Sequence, residues 1–104
     1  MKIQEWHKAN YICSTDKSKL QIDIIHDFLC NRSYWAKGRT LAQVKRSIDH
    51  SECFGVYKDK NQVGFARVVS DFTIYAYILD VFVLEEERGN GLGKFLMECI
   101  MKHQ

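Results

Sequence analysis

The residues best suited to chemistry lie in one short segment, Arg88 to Lys94, which reads RGNGLGK. Three of its seven residues are glycines, which tolerate positive φ angles and let a ligand approach the main chain closely. An amphipathic helix is predicted directly after the segment. The first turn of such a helix offers unpaired N–H groups and a partial positive charge, so the segment is suited to binding phosphate.

Two familiar phosphate-binding loops do not match the spacing of these glycines. The dinucleotide fingerprint G-x-G-x-x-G would need a further glycine at Lys94 or at Leu96. The P-loop would need a glycine at Arg88 and a hydroxyl residue at Phe95. The remaining alternative, a tight turn that caps a helix, accounts for one glycine better than for three.

The first half of the chain is predicted to form two short strands and then two helices. Residues 2–15 alternate weakly in polarity, which indicates a strand pair. From Ser18 to about Cys30 apolar residues recur at helical spacing, and Ser18-x-x-Gln21 has the form of a capping box. A second pattern of this kind begins at Thr40 and predicts another, shorter helix.

The second half is predicted to be rich in strands. Residues 53–58 and 63–69 flank a polar turn and indicate a hairpin. Residues 74–84 form a near-continuous apolar run, which predicts a strand covered on both faces at the centre of the sheet. An apolar stripe after Gly91 predicts a third helix that runs to the chain end. We therefore expect an α/β or α+β fold in a single domain over residues 1–104.

The composition of the chain argues against some classes of partner and some cellular locations. Fifteen basic and 13 acidic residues leave a formal charge of +2 with both signs dispersed, which argues against a nucleic-acid partner. No apolar run reaches the ~20 residues that span a bilayer, and the first residues lack the apolar centre of a secretory signal. The four cysteines form no C-x-x-C pair. We expect a cytoplasmic protein with buried, reduced cysteines, no metal and no membrane association.

The motif Arg-x-x-Gly-x-Gly, formed by Arg88, Gly91 and Gly93, resembles the pyrophosphate-binding loop of the GNAT N-acetyltransferase superfamily. The predicted order of elements is similar to that of the family over essentially the whole chain. That order is one or two strands, two helices, three strands, the loop and a helix. The resemblance implies a mainly antiparallel sheet with flanking helices, and a chain that lacks the strands closing the family's fold.

The resemblance also implies acetyl-coenzyme A as the cosubstrate and a primary amine, on a small molecule or a peptide, as the acceptor. The amine would attack the acetyl thioester directly within a ternary complex. The main chain of the last strand would pair with the pantetheine amides, and a backbone N–H there would stabilise the oxyanion. The residues that the resemblance implies in cofactor binding are Val81, Phe82, Val83, Arg88, Gly89, Asn90, Gly91, Leu92, Gly93 and Lys94.

Asp80 is the candidate catalytic base. It is a carboxylate in an apolar strand, where burial would raise its pKa towards neutrality and let it accept a proton from the ammonium substrate or bind it. The alternative is an aspartate paired with a neighbouring Arg, Lys or backbone donor. Tyr34 and Trp35 occupy the segment that often borders the acceptor pocket in this family, and they are the candidate acceptor-binding residues. Their alternative role is to fill the edge of the core.

Two departures from the family pattern affect these expectations. Many members have a proline where this chain has Glu85, and the acidic run Glu85 to Glu87 should weaken pyrophosphate binding unless the carboxylates point away. The tyrosine that serves as the acid in many members lies further along the fold than Gln104. The alternative function is therefore a coenzyme A-binding module without turnover, and a third is a non-catalytic interaction protein. We also expect a second copy to cover the outer side of residues 74–84 and form a homodimer.

Overall fold

The computed structural model describes residues 3–32, 38–71, 73–74 and 76–103 of the 104-residue chain. Within these ranges five strands form one sheet in chain order, and every neighbouring pair is antiparallel. The predicted strand pair and hairpin are confirmed. The strands are β1 Glu5–Lys8, β2 Tyr11–Ser14, β3 Glu52–Lys58, β4 Asn61–Ser70 and β5 Ala76–Val83.

Helices cover both faces of the sheet. Two of them, α1 Ile22–Asp27 and α2 Leu41–Asp49, connect β2 to β3, and α3 Leu92–Lys102 follows β5. Short helical turns precede α1 (Lys17–Lys19), extend it (Phe28–Arg32) and follow β5 (Glu85–Glu87). This α+β arrangement confirms the predicted fold class. No helix in the described ranges is long and apolar enough to cross a membrane.

Two apolar clusters hold the layers together. The larger lies between the sheet and α3, where Phe95, Leu96 and Cys99 pack against residues of β2, β3 and β4. The smaller joins α1 and α2 to the other face, where Phe28 stacks on Phe82 with ring centroids 4.1 Å apart. Helices therefore cover part of each face of the sheet, which fixes the C-terminal end of β5 and α3 relative to each other.

Only one of the two predicted capping boxes forms. Thr40 caps α2, since its side chain accepts from the backbone N–H of Gln43 while the Gln43 side chain accepts from the Thr40 N–H. The predicted helix start at Ser18 is wrong, because α1 begins at Ile22. The Gln21 side chain instead accepts from the N–H of Gln62, and the Gln62 side chain accepts from the N–H of Gln21.

The predicted central position of the last strand is also wrong. β5 is the last strand of the described sheet, and it is exposed in its first half and buried in its second. Tyr77 is 57% exposed and Leu79 37% exposed. β-Branched and aromatic residues favour any half-buried strand, so an apolar run does not by itself distinguish a central strand from an edge strand.

Candidate active site

The glycine-rich segment forms the connection between β5 and α3, as predicted. Gly89 has a φ of 91° and Gly91 a φ of 73°, and both angles lie in the left-handed region that favours glycine. Gly91 occupies the N-cap position of α3, so no side chain caps this helix. The backbone N–H groups in the first turn of α3 therefore donate to no capping side chain. They are available to donate to a ligand.

The loop has room for a ligand to lie against its main chain. A Cβ atom added at Gly89 or at Gly93 would meet no atom of the described chain within 4 Å. One added at Gly91 would lie 2.7 Å from the Nζ atom of Lys8. The main chain of the loop is therefore open at Gly89 and Gly93, and the ammonium group of Lys8 lies beside it at Gly91.

Lys8 is a residue of this site that the sequence did not indicate. It is the last residue of β1, and its Nζ donates to the carbonyl oxygen of Gly91 at 3.4 Å. The two residues are 83 positions apart, so no local pattern could link them. Their proximity places a third cation beside the loop, in addition to the predicted Arg88 and Lys94.

Arg88 and Asn90 have structural contacts of their own. The Nε of Arg88 donates to the carbonyl oxygen of Val83 at 3.2 Å, which holds the end of β5 against the loop. The side-chain amide of Asn90 donates to the hydroxyl of Tyr11 at 3.1 Å and to the carbonyl oxygen of Glu87 at 3.2 Å. These bonds hold the first half of the loop against β5, β2 and the preceding turn.

The three glutamates before the loop, Glu85 to Glu87, differ in their surroundings. The Glu87 carboxylate accepts from the Tyr11 hydroxyl at 2.7 Å and lies 3.8 Å from the Nζ of Lys58. This hydrogen bond raises the pKa of Tyr11. Glu85 and Glu86 are exposed. Glu87 would therefore repel a bound pyrophosphate less than an unpaired carboxylate would, because its charge is partly balanced by Lys58.

The last strand carries a bulge next to the candidate base. The β4–β5 ladder changes register between Phe65 and Arg67, where β5 has one residue more than β4. Asp80 lies in this bulge with a φ of 55°. A bulge leaves main-chain groups out of the ladder, and no described strand pairs with the other edge of β5. Among the described residues, the outer main-chain edge of Val81–Val83 is therefore not paired with another strand.

Asp80 does not have the raised pKa that the sequence predicted. Its side chain is 3% exposed, and its Oδ2 accepts from the Arg39 guanidinium at 2.8 Å and from the Arg67 Nε at 2.9 Å. Burial raises the pKa of Asp80, but the hydrogen bonds and charges of the two arginines outweigh it and hold the pKa below its usual value. The alternative of a paired aspartate is the one observed.

The two arginines are held in place by neighbouring elements. Arg67 lies on β4, and its NH1 donates to the Ser51 hydroxyl at 3.0 Å. Arg39 directly precedes the Thr40 cap of α2, and its carbonyl oxygen lies 3.0 Å from the Nε2 of His26. A signal for the Arg67 pair was present, because Arg67 and Asp80 are opposite charges on two adjacent strands that are otherwise largely apolar.

The structure brings together only part of the predicted site. The loop residues, the end of β5 and Asp80 all lie around the C-terminal half of β5. Phe82 contributes only its main chain to the strand edge, because its ring is buried in the core. The predicted acceptor-binding residues Tyr34 and Trp35 lie outside the described residues.

Comparison with known proteins connects this geometry to a family. The family model "Acetyltransferase (GNAT) family" matches residues 22–103. A crystal structure from Xanthomonas campestris pv. campestris, of a "putative acetyltransferase belonging to the gnat family", is 49% identical with a TM-score of 0.90. It aligns with 93% of this chain, which covers 68% of that protein.

Two curated relatives are consistent with this match. "Putative acetyltransferase FG08082" of Gibberella zeae is 28% identical over 95% of this chain, which covers 67% of that protein. "Uncharacterized N-acetyltransferase ycf52" of Gracilaria tenuistipitata var. liui is 39% identical over 75% of this chain. The chain spans about half the length of the latter, covering 46% of it.

The antiparallel sheet, the glycine loop before α3 and these matches together define an acyltransferase fold. The chain belongs to the GNAT acetyltransferase family.

Proposed function

We propose that this chain is an acetyl-coenzyme A-dependent N-acetyltransferase that transfers an acetyl group to a primary amine by direct attack within a ternary complex. The observation that carries the proposal is the β5–α3 loop, where two glycines with positive φ precede a helix that no side chain caps. Membership of the GNAT family supports the same activity.

The residues present fit a coenzyme A pyrophosphate. The main-chain N–H groups of Arg88–Lys94 would hold it, with the ammonium group of Lys8 beside Gly91 adding a favourable charge. The outer edge of β5 at Val81–Val83 would pair with the pantetheine amides, because no described strand occupies that edge. Coenzyme A would supply the acetyl group as a thioester next to the bulge at Asp80.

The bulge would contribute to the chemistry through its main chain. An N–H group of Val81–Val83 that is directed out of the ladder would stabilise the oxyanion formed when the amine attacks. Asp80 is ionised and bonded to two arginines, so its lowered pKa does not support the predicted role of a base. The arginines favour the neutral form of a bound amine, because positive charge nearby lowers the pKa of an ammonium group.

The proposed function is tested by following thiol release from acetyl-coenzyme A in the presence of a panel of primary amines. We expect thiol release that depends on both the protein and an amine, with an acetylated amine as the second product. Tight binding of acetyl-coenzyme A without amine-dependent thiol release would overturn the enzymatic proposal and favour the alternative of a binding module. The matched control is the same chain with acetyl-coenzyme A and no amine, which reports hydrolysis alone.

A further inference from the structure

The ion cluster at the bulge, formed by Arg39, Arg67 and Asp80, carries more positive than negative charge. Two guanidinium groups share one carboxylate, and both contact the same oxygen, Oδ2. Arginine stays protonated at all physiological pH values. With Asp80 ionised, the three side chains carry a net charge of one positive unit.

The two arginines differ in how accessible they are. The Arg67 side chain is 14% exposed and uses two of its nitrogens, on Asp80 and on Ser51. The Arg39 side chain is 28% exposed, and among the described residues its guanidinium donates only through NH1, to Asp80. A guanidinium has five N–H donors in a planar fork. Among the described residues, Arg39 therefore keeps donors for a further acceptor atom, and it is the more exposed of the two arginines.

The position of Arg39 places its remaining N–H donors near the proposed site of the acceptor amine. Arg39 directly precedes the N-cap of α2 and bonds Asp80 in the bulge of β5, where the β4–β5 ladder is locally interrupted. The same bulge is the proposed position of the acetyl thioester. An acceptor amine that attacks there would therefore lie beside the Arg39 guanidinium.

We propose that the acceptor is a primary amine that also carries a carboxylate or phosphate group, and that Arg39 binds this anionic group. The inference rests on the acetyltransferase function proposed above. A planar guanidinium donates two parallel hydrogen bonds to either anion, and these charge-assisted bonds are stronger than neutral ones. A purely cationic acceptor, such as a polyamine, is disfavoured because the cluster would repel it.

Equilibrium binding tests the inference without requiring turnover. The chain is titrated with matched amines, in the presence and absence of coenzyme A. The pairs are O-phosphoethanolamine with ethanolamine and alanine with alaninamide, and spermidine is the cationic probe. We expect the anionic member of at least one pair to bind about tenfold more tightly than its partner, which corresponds to about 1.4 kcal/mol. The pair with the larger ratio distinguishes a phosphate from a carboxylate.

Variants test whether Arg39 is the residue that causes the preference for anionic amines. Arg39→Gln should reduce the anionic-to-neutral ratio of affinities towards one, and Arg39→Lys should restore part of it. Arg46→Gln is the matched control, because it removes the same charge from an exposed position on α2 that lies outside the cluster. Circular dichroism and urea unfolding of each variant show whether it remains folded. A ratio near one for the unaltered chain, a preference for spermidine, no binding of any amine, or a preference that survives in folded Arg39→Gln would overturn the inference.

Thiol release from acetyl-coenzyme A, measured on the same amines, separates this inference from the proposed function. Preferential binding of the anionic amines without thiol release would support the Arg39 site and overturn the enzymatic proposal. Faster thiol release with neutral or cationic amines would support the enzyme and overturn the inference.

Discussion

The Asp80 carboxylate is hydrogen-bonded by two residues that are distant from it in the sequence. Arg39 is 41 positions away and Arg67 is 13 positions away, yet both donate to the same carboxylate oxygen. The sequence correctly placed a buried carboxylate in the last strand, since the apolar run around Asp80 is a local feature. The sequence did not identify Arg39 and Arg67 as its partners, because the register of β4 against β5 and the path into α2 are set by tertiary packing.

We predict that Asp80→Asn destabilises the fold by about 3 kcal/mol near neutral pH, because it leaves two arginines without their counter-charge. The pKa of Asp80 is lower in the folded chain than its ordinary value of 3.8. The stabilisation is therefore fully present above that value, and it is lost as the pH falls through the folded-state pKa. Urea unfolding at a series of pH values measures the difference between the two proteins.

Asp59→Asn is the matched control for this pH series. Asp59 is exposed in the β3–β4 turn with a φ of 52°, a conformation that Asn also tolerates. We expect it to change stability by less than about 0.5 kcal/mol. If Asp80→Asn and the unaltered chain differ by the same amount from neutral pH down to about pH 2, the ion cluster does not stabilise the fold through the ionised carboxylate.

At the scale of elements, the two predicted capping boxes show what a local motif can specify. Thr40 starts α2, and both reciprocal bonds of its capping box with Gln43 form. Ser18 has the same spacing to Gln21, but Gln21 bonds across the sheet to Gln62, whose side chain is fully buried. A motif of four residues therefore predicts a helix start only where tertiary contacts leave its side chains available.

We predict that Thr40→Ala lowers the free energy of unfolding by about 1 kcal/mol, since it removes the acceptor for the backbone N–H of Gln43. Ser18→Ala is the comparison, because Ser18 is exposed and caps no α-helix. It should change stability by less than about 0.5 kcal/mol. Urea unfolding followed by circular dichroism measures both. Equal losses in the two variants would show that the observed difference in capping has no energetic consequence.

At the scale of the whole molecule, the apolar pattern of residues 74–84 did not show that β5 forms an edge of the described sheet. The order of elements and their connections followed from hydrophobic spacing, and the structure confirms them. Apolar spacing alone did not reveal the position of β5 at the edge, because strand order is set by pairing between distant segments. An uncovered outer side of this strand was expected only from the family resemblance, which implies a chain without the closing strands. Apolar side chains near this edge are exposed, with Ile74 90% and Leu79 37% accessible.

We propose that a second copy covers the first half of β5 and gives the homodimer expected from the sequence. Light scattering at micromolar concentration should then report twice the 12.2 kDa mass of one chain. Leu79→Lys should shift the protein to the monomer, since a charge at this edge opposes strand pairing. Leu41→Lys, at a similarly exposed leucine on α2, should leave the mass unchanged. A monomeric unaltered chain would contradict the proposal.

The central claim is that the loop between β5 and α3 binds the pyrophosphate of coenzyme A, and calorimetric titration with coenzyme A tests it most directly. The unaltered chain should bind, and Gly91→Ala should weaken binding at least tenfold. The added Cβ is strained at a φ of 73° and would lie 2.7 Å from the Nζ of Lys8. Gly38→Ala is the matched control, because it adds the same methyl group at a φ of 87° outside the loop, where it meets no atom of the described chain within 4 Å, so its affinity should stay within about twofold. Absence of coenzyme A binding by the unaltered chain, or equal affinities for Gly91→Ala and the unaltered chain, would contradict the claim.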